Sequence, residues 1–153
     1  MTQEAIVCDN GKTPLQAARD WMDAAARCDI DAIADGMDQG CLRYGEPEWM
    51  VIGKDDYVAA YRQFLISWSD YRLDIRNVMA SGRTVVFEMI ESATLSGPYP
   101  LPDGSVIQPN GSTYTDHCCT WVEIDNQGKV AEIRAYIPST RGRLLAEAFA
   151  ASA

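Results

Sequence analysis

The 153-residue chain is short of the residues from which metal and redox sites are built. It has one histidine, His117, and its five cysteines include no Cys-x-x-Cys pair. Structural zinc sites are built from several cysteine and histidine ligands, so we expect no metal site here. With no such pair and no export signal, we also expect the thiols to be reduced and mostly buried.

Other absences argue against whole classes of partner. The first residues have neither a basic stretch nor a sustained apolar run, so they do not resemble a secretory signal. No segment approaches the length of about 18 apolar residues that a membrane span requires. The formal net charge is −9 and no basic run offsets it, which disfavours nucleic acid and anionic membranes as partners. We therefore expect a cytoplasmic protein with neither partner.

No phosphate-binding loop or dinucleotide glycine motif is present, so we also expect no cofactor. Any chemistry would then have to come from side chains alone.

The first part of the chain has helical periodicity. Thr13-Pro14 predicts the start of an amphipathic helix, and a short second helix follows, capped by Asp29 or Asp31. A third helix is expected from Lys54 to about residue 69, with Tyr57, Tyr61, Phe64, Leu65 and Trp68 on its apolar face. Between the last two helices we predict a short strand at 41–45 and a loop at 45–53.

The second part switches to strand periodicity. Four strands in a meander are expected at 71–80, 83–95, 112–125 and 129–137, followed by a closing helix. A proline- and glycine-rich loop separates the second strand from the third, with a possible strand extension around Val106. Residues 1–12 are predicted as a lead-in and residues 13–153 as one α+β domain.

Strand alternation assigns faces to these residues. Ala131, Ile133, Ala135 and Ile137 form the apolar face of the last strand and are expected to face the core. Glu91 shares a face with the apolar residues at 85, 87 and 89 and should therefore also point inward.

Asp116 and His117 are neighbours in one strand, so only one of them can face the interior. They cannot form a local dyad.

Three segments resemble one superfamily in their order and spacing: WMDAAARCDIDAIADGM, KDDYVAAYRQFL and VEIDNQGKVAEIRAYI. They are similar to the nuclear transport factor 2-like superfamily, and within it to SnoaL-like cyclases, ketosteroid isomerases and limonene epoxide hydrolases. The resemblance covers about residues 14–147. It implies a cone-shaped, curved mixed β-sheet wrapped around three N-terminal helices (a cystatin-like α+β barrel), whose mouth is a ligand pocket.

The strand phase of the ketosteroid isomerases implies that Asp116 and Thr120 face inward and that His117 faces outward. Thr120 and Trp21 lie where those enzymes have the aspartic acid and the tyrosine of an oxyanion hole. Tyr44 lies, within one residue, where they have the base. The isomerase groups are therefore all replaced.

The limonene epoxide hydrolases have an arginine and an aspartate where this chain has Met89 and Glu91. Their last aspartate, which SnoaL-type cyclases also use, corresponds to Ala135. The resemblance implies the scaffold of these enzymes without their known catalytic sets.

We predict Asp116, Glu91, Tyr44 and His117 as the catalytic candidates. A carboxylate in an apolar cone would be poorly solvated and a better base, although each acid could instead be solvated near a strand end. Tyr44 could donate a hydrogen bond to an oxyanion or could be a core or rim residue. His117 is a surface or interface residue unless a bulge shifts the strand phase, so we expect Asp116 to touch the substrate.

Substrate contacts are predicted from the aromatic and apolar residues of the cone, some of which could equally be plain core. They are Trp21, Trp49, Tyr61, Trp68, Met89, Thr120, Ile133 and Ile137. The predicted function is a cofactor-independent lyase, isomerase or cyclase that transfers a proton on a small, mostly apolar ring compound. The alternative is a non-catalytic ligand-binding or assembly module, and a deep cavity with a hydrogen-bonded buried acid would favour the enzyme.

Cys119, Trp121 and Tyr136 fall on the outer face of the predicted sheet. Exposing this much apolar surface on a monomer would be unusual, so we expect a homodimer or other homo-oligomer.

Overall fold

The computed structural model describes residues 5–46 and 49–152. Four helices and eight strands are assigned in these ranges. In chain order they are α1 (Pro14–Ala26), α2 (Ile30–Asp35), β1 (Met37–Gly45), β2 (Met50–Gly53), α3 (Lys54–Ser67), β3 (Trp68–Ser81), β4 (Thr84–Leu95), β5 (Tyr99–Pro100), β6 (Val106–Ile107), β7 (Thr113–Ile124), β8 (Val130–Tyr136) and α4 (Thr140–Ala151).

Six strands form one mixed sheet in the order β2-β1-β8-β7-β4-β3. β1 and β8 pair in parallel, and every other pair in this sheet is antiparallel. The predicted meander is confirmed, because β3, β4, β7 and β8 are neighbours in chain order. The sheet is curved and unclosed around the N-terminal helices, which confirms the α+β cone.

Local sequence explains where the first two helices begin. The Thr13 hydroxyl accepts a hydrogen bond from the backbone N–H of Gln16, whose side chain accepts one from the Thr13 N–H. This capping box satisfies two N–H groups that a helix start leaves free. Asp29 caps α2 by accepting a bond from the backbone N–H of Ala32. α1 then places Trp21 and Met22 under the sheet, where both are buried.

Two predicted loops contain strands. The segment at 45–53 includes β2, which forms a hairpin with β1, so the loop prediction was wrong there; Pro47 and Glu48 lie outside the described residues. The long loop after β4 folds into the small β5–β6 hairpin, which bears out the strand extension around Val106. Residues 1–4 of the predicted lead-in are also outside the described part of the chain.

The predicted inward face of β8 is corrected at one residue. Ile133 and Ala135 are buried as expected, but Val130 is buried in place of Ala131. The register explains the change: Glu132 pairs with Glu123 while Val130 pairs with Ile124, so Ala131 is the extra residue of a β-bulge. Alternation holds beyond the bulge but not across it.

Among the described residues, no helix is long and apolar enough to cross a membrane. The cytoplasmic location stays a prediction.

Candidate functional site

A cavity of about 430 Å³ lies between α3 and the open end of the sheet. It exists because α3 presents an apolar face that the sheet does not fully cover: Tyr57, Tyr61 and Phe64 are half-buried, and Ser67 is the helix's one fully buried residue. Aromatic side chains dominate the wall. They are Tyr57, Tyr61, Phe64, Trp68, Tyr71 and Tyr99.

Glu91 is the buried acid of this cavity, with 9% of its surface exposed. The hydroxyl of Tyr114 donates to Glu91 Oε1 at 2.5 Å, and the hydroxyl of Tyr71 is 3.2 Å from Oε2. The guanidinium of Arg141 lies 3.8 Å from Oε1. Both carboxylate oxygens therefore have a phenol donor, and an arginine provides the opposite charge.

The position of Glu91 follows from the alternation along β4. Val85, Phe87 and Met89 point to the same side and belong to a cluster that α1 covers. Two residues beyond Glu91, Ala93 belongs to a second cluster, centred on Trp68 and Tyr114. Glu91 lies between these two clusters, where neither α1 nor the second cluster covers the sheet. Its side chain therefore borders the cavity.

Asp116 faces inward and His117 faces outward, as the strand phase predicts. Asp116 is 2% exposed and stands directly opposite Glu91 in the pairing of β7 with β4. Its Oδ2 atom is buried and has no hydrogen-bond partner among the described residues. Asp116 is not part of the cavity wall. It lies behind the wall, beside Glu91 on the next strand.

The phenols around Glu91 are held in their protonated form. Burial, followed by the negative charge of Glu91, raises the pKa of Tyr71 and of Tyr114 well above the ordinary value for tyrosine. Burial is also the main cause that raises the pKa of Tyr57 to about 12. At neutral pH each of these hydroxyls is consequently a hydrogen-bond donor and not a phenolate.

Two arginines also line the cavity. Arg141, in the first turn of α4, lies 5.1 Å from the ring centre of Phe64 and 5.8 Å from that of Tyr114. Burial lowers the pKa of Arg141, but Tyr114 and Glu91 outweigh this effect and raise it overall, so the guanidinium stays charged. Arg43, on β1, donates from Nη1 to the backbone carbonyl of Glu46 at 3.0 Å.

Gly45 makes room for Arg43. A Cβ atom at this position would lie 3.0 Å from the guanidinium carbon of Arg43 and 2.9 Å from the carbonyl oxygen of Ala135. Any larger residue would therefore push the arginine away from its place on the wall.

The structure brings together some of the predicted site residues and separates others. On the cavity wall lie Glu91, Tyr61, Trp68 and Ile137. In the packed interior, away from the wall, lie Trp21, Met89, Thr120 and Ile133. Tyr44 is half-buried beside Trp49, with ring centres 6.3 Å apart, and neither ring belongs to the cavity wall.

His117 borders a second, shallower depression beside the first. Trp49 and Tyr136 share it, with ring centres 5.1 Å apart. The catalytic and substrate-binding roles of all twelve predicted residues stay predictions.

Sequence reasoning missed Arg43, Tyr71 and Arg141. For the first two, strand alternation could have indicated the position. Arg43 lies on the same face of β1 as the buried residues Cys41 and Gly45, and Tyr71 lies on the same face of β3 as Leu73. For Arg141 there was no such signal, because a helix at the end of the chain carries no indication of which strand it meets.

The cysteines are placed mainly inside. Cys8, Cys41 and Cys118 are buried, and Cys28 and Cys119 are half-buried. Within the described ranges, no group of three or more histidine, cysteine, aspartate or glutamate residues could hold a metal ion.

Residues 18–133 match the sequence model of the SnoaL-like domain. The chain belongs to this family. No curated protein sequence matches it significantly.

Solved structures show the same fold at low identity. AclR, a proposed hydroxylase from Streptomyces galilaeus, is 20% identical with a TM-score of 0.72, over 88% of this chain and 81% of that one. A proposed SnoaL-like polyketide cyclase from Jannaschia sp. CCS1 is 15% identical with a TM-score of 0.71, over 86% and 90%. An LEH-like epoxide hydrolase from M. tuberculosis is 16% identical with a TM-score of 0.64, over 90% and 92%.

Proposed function

We propose that this SnoaL-like protein is a cofactor-independent enzyme that moves a proton on a small, mostly apolar, ring-containing molecule. One observation carries the proposal: a buried carboxylate, Glu91, opens into an aromatic cavity with hydrogen bonds from Tyr71 and Tyr114. A buried acid within reach of a bound ring, fixed by its own donors, is the arrangement that general acid–base catalysis needs.

In the proposed reaction Glu91 acts as the base. A ring held against the aromatic wall presents a C–H bond next to a carbonyl group, and a Glu91 oxygen takes the proton. The electron pair of that bond moves to the carbonyl oxygen and gives an enolate. Tyr57, whose protonated hydroxyl lies on the wall, is the donor available to stabilise the negative oxygen.

In an isomerase the enolate is conjugated with a C=C bond, and Glu91 returns the proton to the far carbon as the double bond shifts and the carbonyl re-forms. In a lyase the carbonyl re-forms as a new C=C bond replaces the bond to a leaving group on the next carbon, and Glu91 gives that group the proton.

Ligand binding is attributed to the aromatic side chains. A cavity of about 430 Å³ lies within the range typical of small-molecule sites. Stacking against tyrosine and tryptophan would orient a flat ring while leaving its polar groups to Glu91 and the arginines.

The second candidate is a non-catalytic module of the same fold. A module that only binds apolar ligands has no need of a buried charge, which costs stability even when it is paired. The environment of Glu91 therefore favours the enzyme. The solved relatives include proteins described as a proposed polyketide cyclase and as an epoxide hydrolase, which is compatible with ring chemistry.

Proton abstraction can be tested before the natural substrate is known. Cyclic ketones and cyclic 1,3-dicarbonyl compounds are incubated with the protein in D₂O, and loss of the C–H signal is followed by NMR. We expect at least one compound to exchange faster than with buffer alone. Glu91→Gln should slow this exchange by about 10²- to 10⁴-fold.

Glu88→Gln is the matched control. It removes the same charge from an exposed position on the same strand, so exchange should stay at the wild-type rate. Equal exchange rates for the wild type and Glu91→Gln would rule out Glu91 as the base. The non-catalytic binding module would then be the better-supported function.

We also propose that the protein is a homo-oligomer through the outer face of the sheet. Trp121 and Tyr136 are 39% and 49% exposed there. Sedimentation at micromolar concentration should give a multiple of 16.9 kDa, and Trp121→Lys should lower that mass. A wild-type mass of a single chain would contradict this proposal.

A further inference from the structure

The cavity wall carries two arginines beside its buried carboxylate. Arg43 and Arg141 both line it, whereas Glu91 is the one buried carboxylate on its wall in the described ranges. Glu46 and Asp56 also border the cavity, but both are exposed to solvent. With these two, the described residues of the wall include three acidic and two basic side chains, so what singles out the arginines is their position and not the net charge of the cavity.

Arg141 is fixed in place with some of its hydrogen-bond donors still available. Its distance of 3.8 Å from Glu91 Oε1 is too long for a hydrogen bond. The rings of Phe64 and Tyr114 lie against the guanidinium. The Tyr114 hydroxyl is also a hydrogen-bond partner of the guanidinium, and it occupies only part of the five N–H groups. Contacts with rings leave the N–H groups at the edge of the guanidinium free for a ligand.

Arg43 is held in a similar state. Its Nη1 has one hydrogen bond, to the carbonyl of Glu46, and its guanidinium lies close to the backbone at Gly45. Burial is the main cause that lowers the pKa of Arg43, and the positive charge of Arg141 lowers it further. A negative ligand between the two arginines would offset both effects.

We propose that the ring-containing substrate carries a carboxylate, which binds to Arg141 and Arg43 while the ring lies on the aromatic wall near Glu91. A carboxylate is planar, and its two oxygens match two parallel N–H donors of a guanidinium group. The inference rests on the proposed function, because the carboxylate and the reacting C–H bond belong to one molecule.

Binding of two probes of the same shape tests the inference without any turnover. Naphthalene-2-carboxylate and the neutral naphthalene-2-carboxamide are titrated at pH 7 in a calorimeter at fixed ionic strength. We expect the carboxylate to bind about 10- to 100-fold more tightly, the range for hydrogen bonds to a charged group. Arg141→Gln and Arg43→Gln should each remove most of this preference.

Arg62→Gln is the matched control. It removes an arginine from an exposed position on α3 outside the cavity, so the preference for the carboxylate should stay as in the wild type. Arg141→Lys provides a second variant that keeps the charge, in case the glutamine variants do not fold; it should lose part of the preference, because lysine lacks the planar pair of donors.

Glu91→Gln separates this inference from the proposed function. It should bind the carboxylate at least as tightly as the wild type, because a competing negative charge has gone, although proton exchange is lost. Equal affinity for the two probes would overturn the carboxylate subsite and leave the role of Glu91 standing. Absence of binding by both probes, or an unchanged preference in both arginine variants, would also overturn the subsite.

Discussion

The inner face of the sheet has two ends that use the same strands in opposite ways. At the closed end α1 covers Val85, Phe87 and Met89 of β4, which are fully or almost fully buried. At the open end the same face of β4 presents Glu91 to a space lined by aromatic rings. The two regions therefore form one continuous face. It changes from apolar to acidic between Met89 and Glu91, which are successive residues on that face.

The difference indicates which residues stabilise the fold and which are there for a ligand. Apolar residues at the closed end lose all contact with water, so their burial favours folding. At the open end Glu91, Asp116 and Arg141 place ionisable groups in a mostly apolar surrounding, and burying such groups costs stability. A protein without a ligand would gain nothing from this arrangement.

The largest effect is expected at the closed end. Phe87 is 0% exposed, and Phe87→Ala should lower the free energy of unfolding by about 3–5 kcal/mol. Phe64→Ala removes the same atoms from the half-buried cavity wall and should cost less than half as much. Urea unfolding followed by circular dichroism measures both. Equal losses would mean that the two ends do not differ in packing.

The next effect concerns the carboxylate beside Glu91. Asp116→Asn keeps the shape and replaces the buried carboxyl group opposite Glu91 with an amide, so the proton-exchange rate should fall by up to about 10²-fold. His117→Gln should change the rate by less than about twofold, since its side chain faces outward. The reverse pattern would show that the reaction depends on His117 and not on Asp116.

A smaller effect is expected from the donors of Glu91. Tyr114→Phe removes the 2.5 Å hydrogen bond and keeps the ring, so the free energy of unfolding should fall by about 1.5–3 kcal/mol, as for a bond to a charged group. Tyr71→Phe removes the longer bond of 3.2 Å and should cost less. Urea unfolding measures both free energies, and a larger loss of stability for Tyr71→Phe than for Tyr114→Phe would contradict this prediction.

The smallest effect depends on pH and belongs to the closed end. Burial, with Glu91 and Asp116 adding to it, raises the pKa of Cys118 from 9.0 to about 12. Below pH 9 the thiol is protonated in both states. Between pH 9 and 12 the unfolded thiol ionises first, so the stability that Cys118 contributes is lost as pH rises.

Cys118→Ala should therefore flatten the decline of the urea midpoint between pH 8 and pH 10.5. Cys119→Ala, on the outer face of the same strand, is the control; burial raises the pKa of Cys119 too, but this residue is only half-buried, so the decline should flatten less than in Cys118→Ala. Equal slopes in the wild type and Cys118→Ala would exclude this contribution.

Strand alternation predicts which side chains of the open end point inward, but not which of them form the cavity wall. Period two placed Glu91 and Asp116 inward, and the structure has both buried. It could not show that Glu91 borders the cavity while Asp116 lies off the wall, because that depends on which residues α1 and α4 cover. The bulge at Ala131 was likewise hidden, since an extra residue leaves the hydrophobic pattern of a short strand almost intact.

By itself the sequence determined the order of the helices and of the longer strands, the family and the inward side of most strands. These properties follow from spacings of a few residues along the chain, which fix the direction of each side chain. Only the tertiary structure decided that Arg43 of β1 and Arg141 of α4 meet beside Glu91 of β4 in one cavity. Such a meeting depends on strand register and on where the last helix docks, and no local spacing records either.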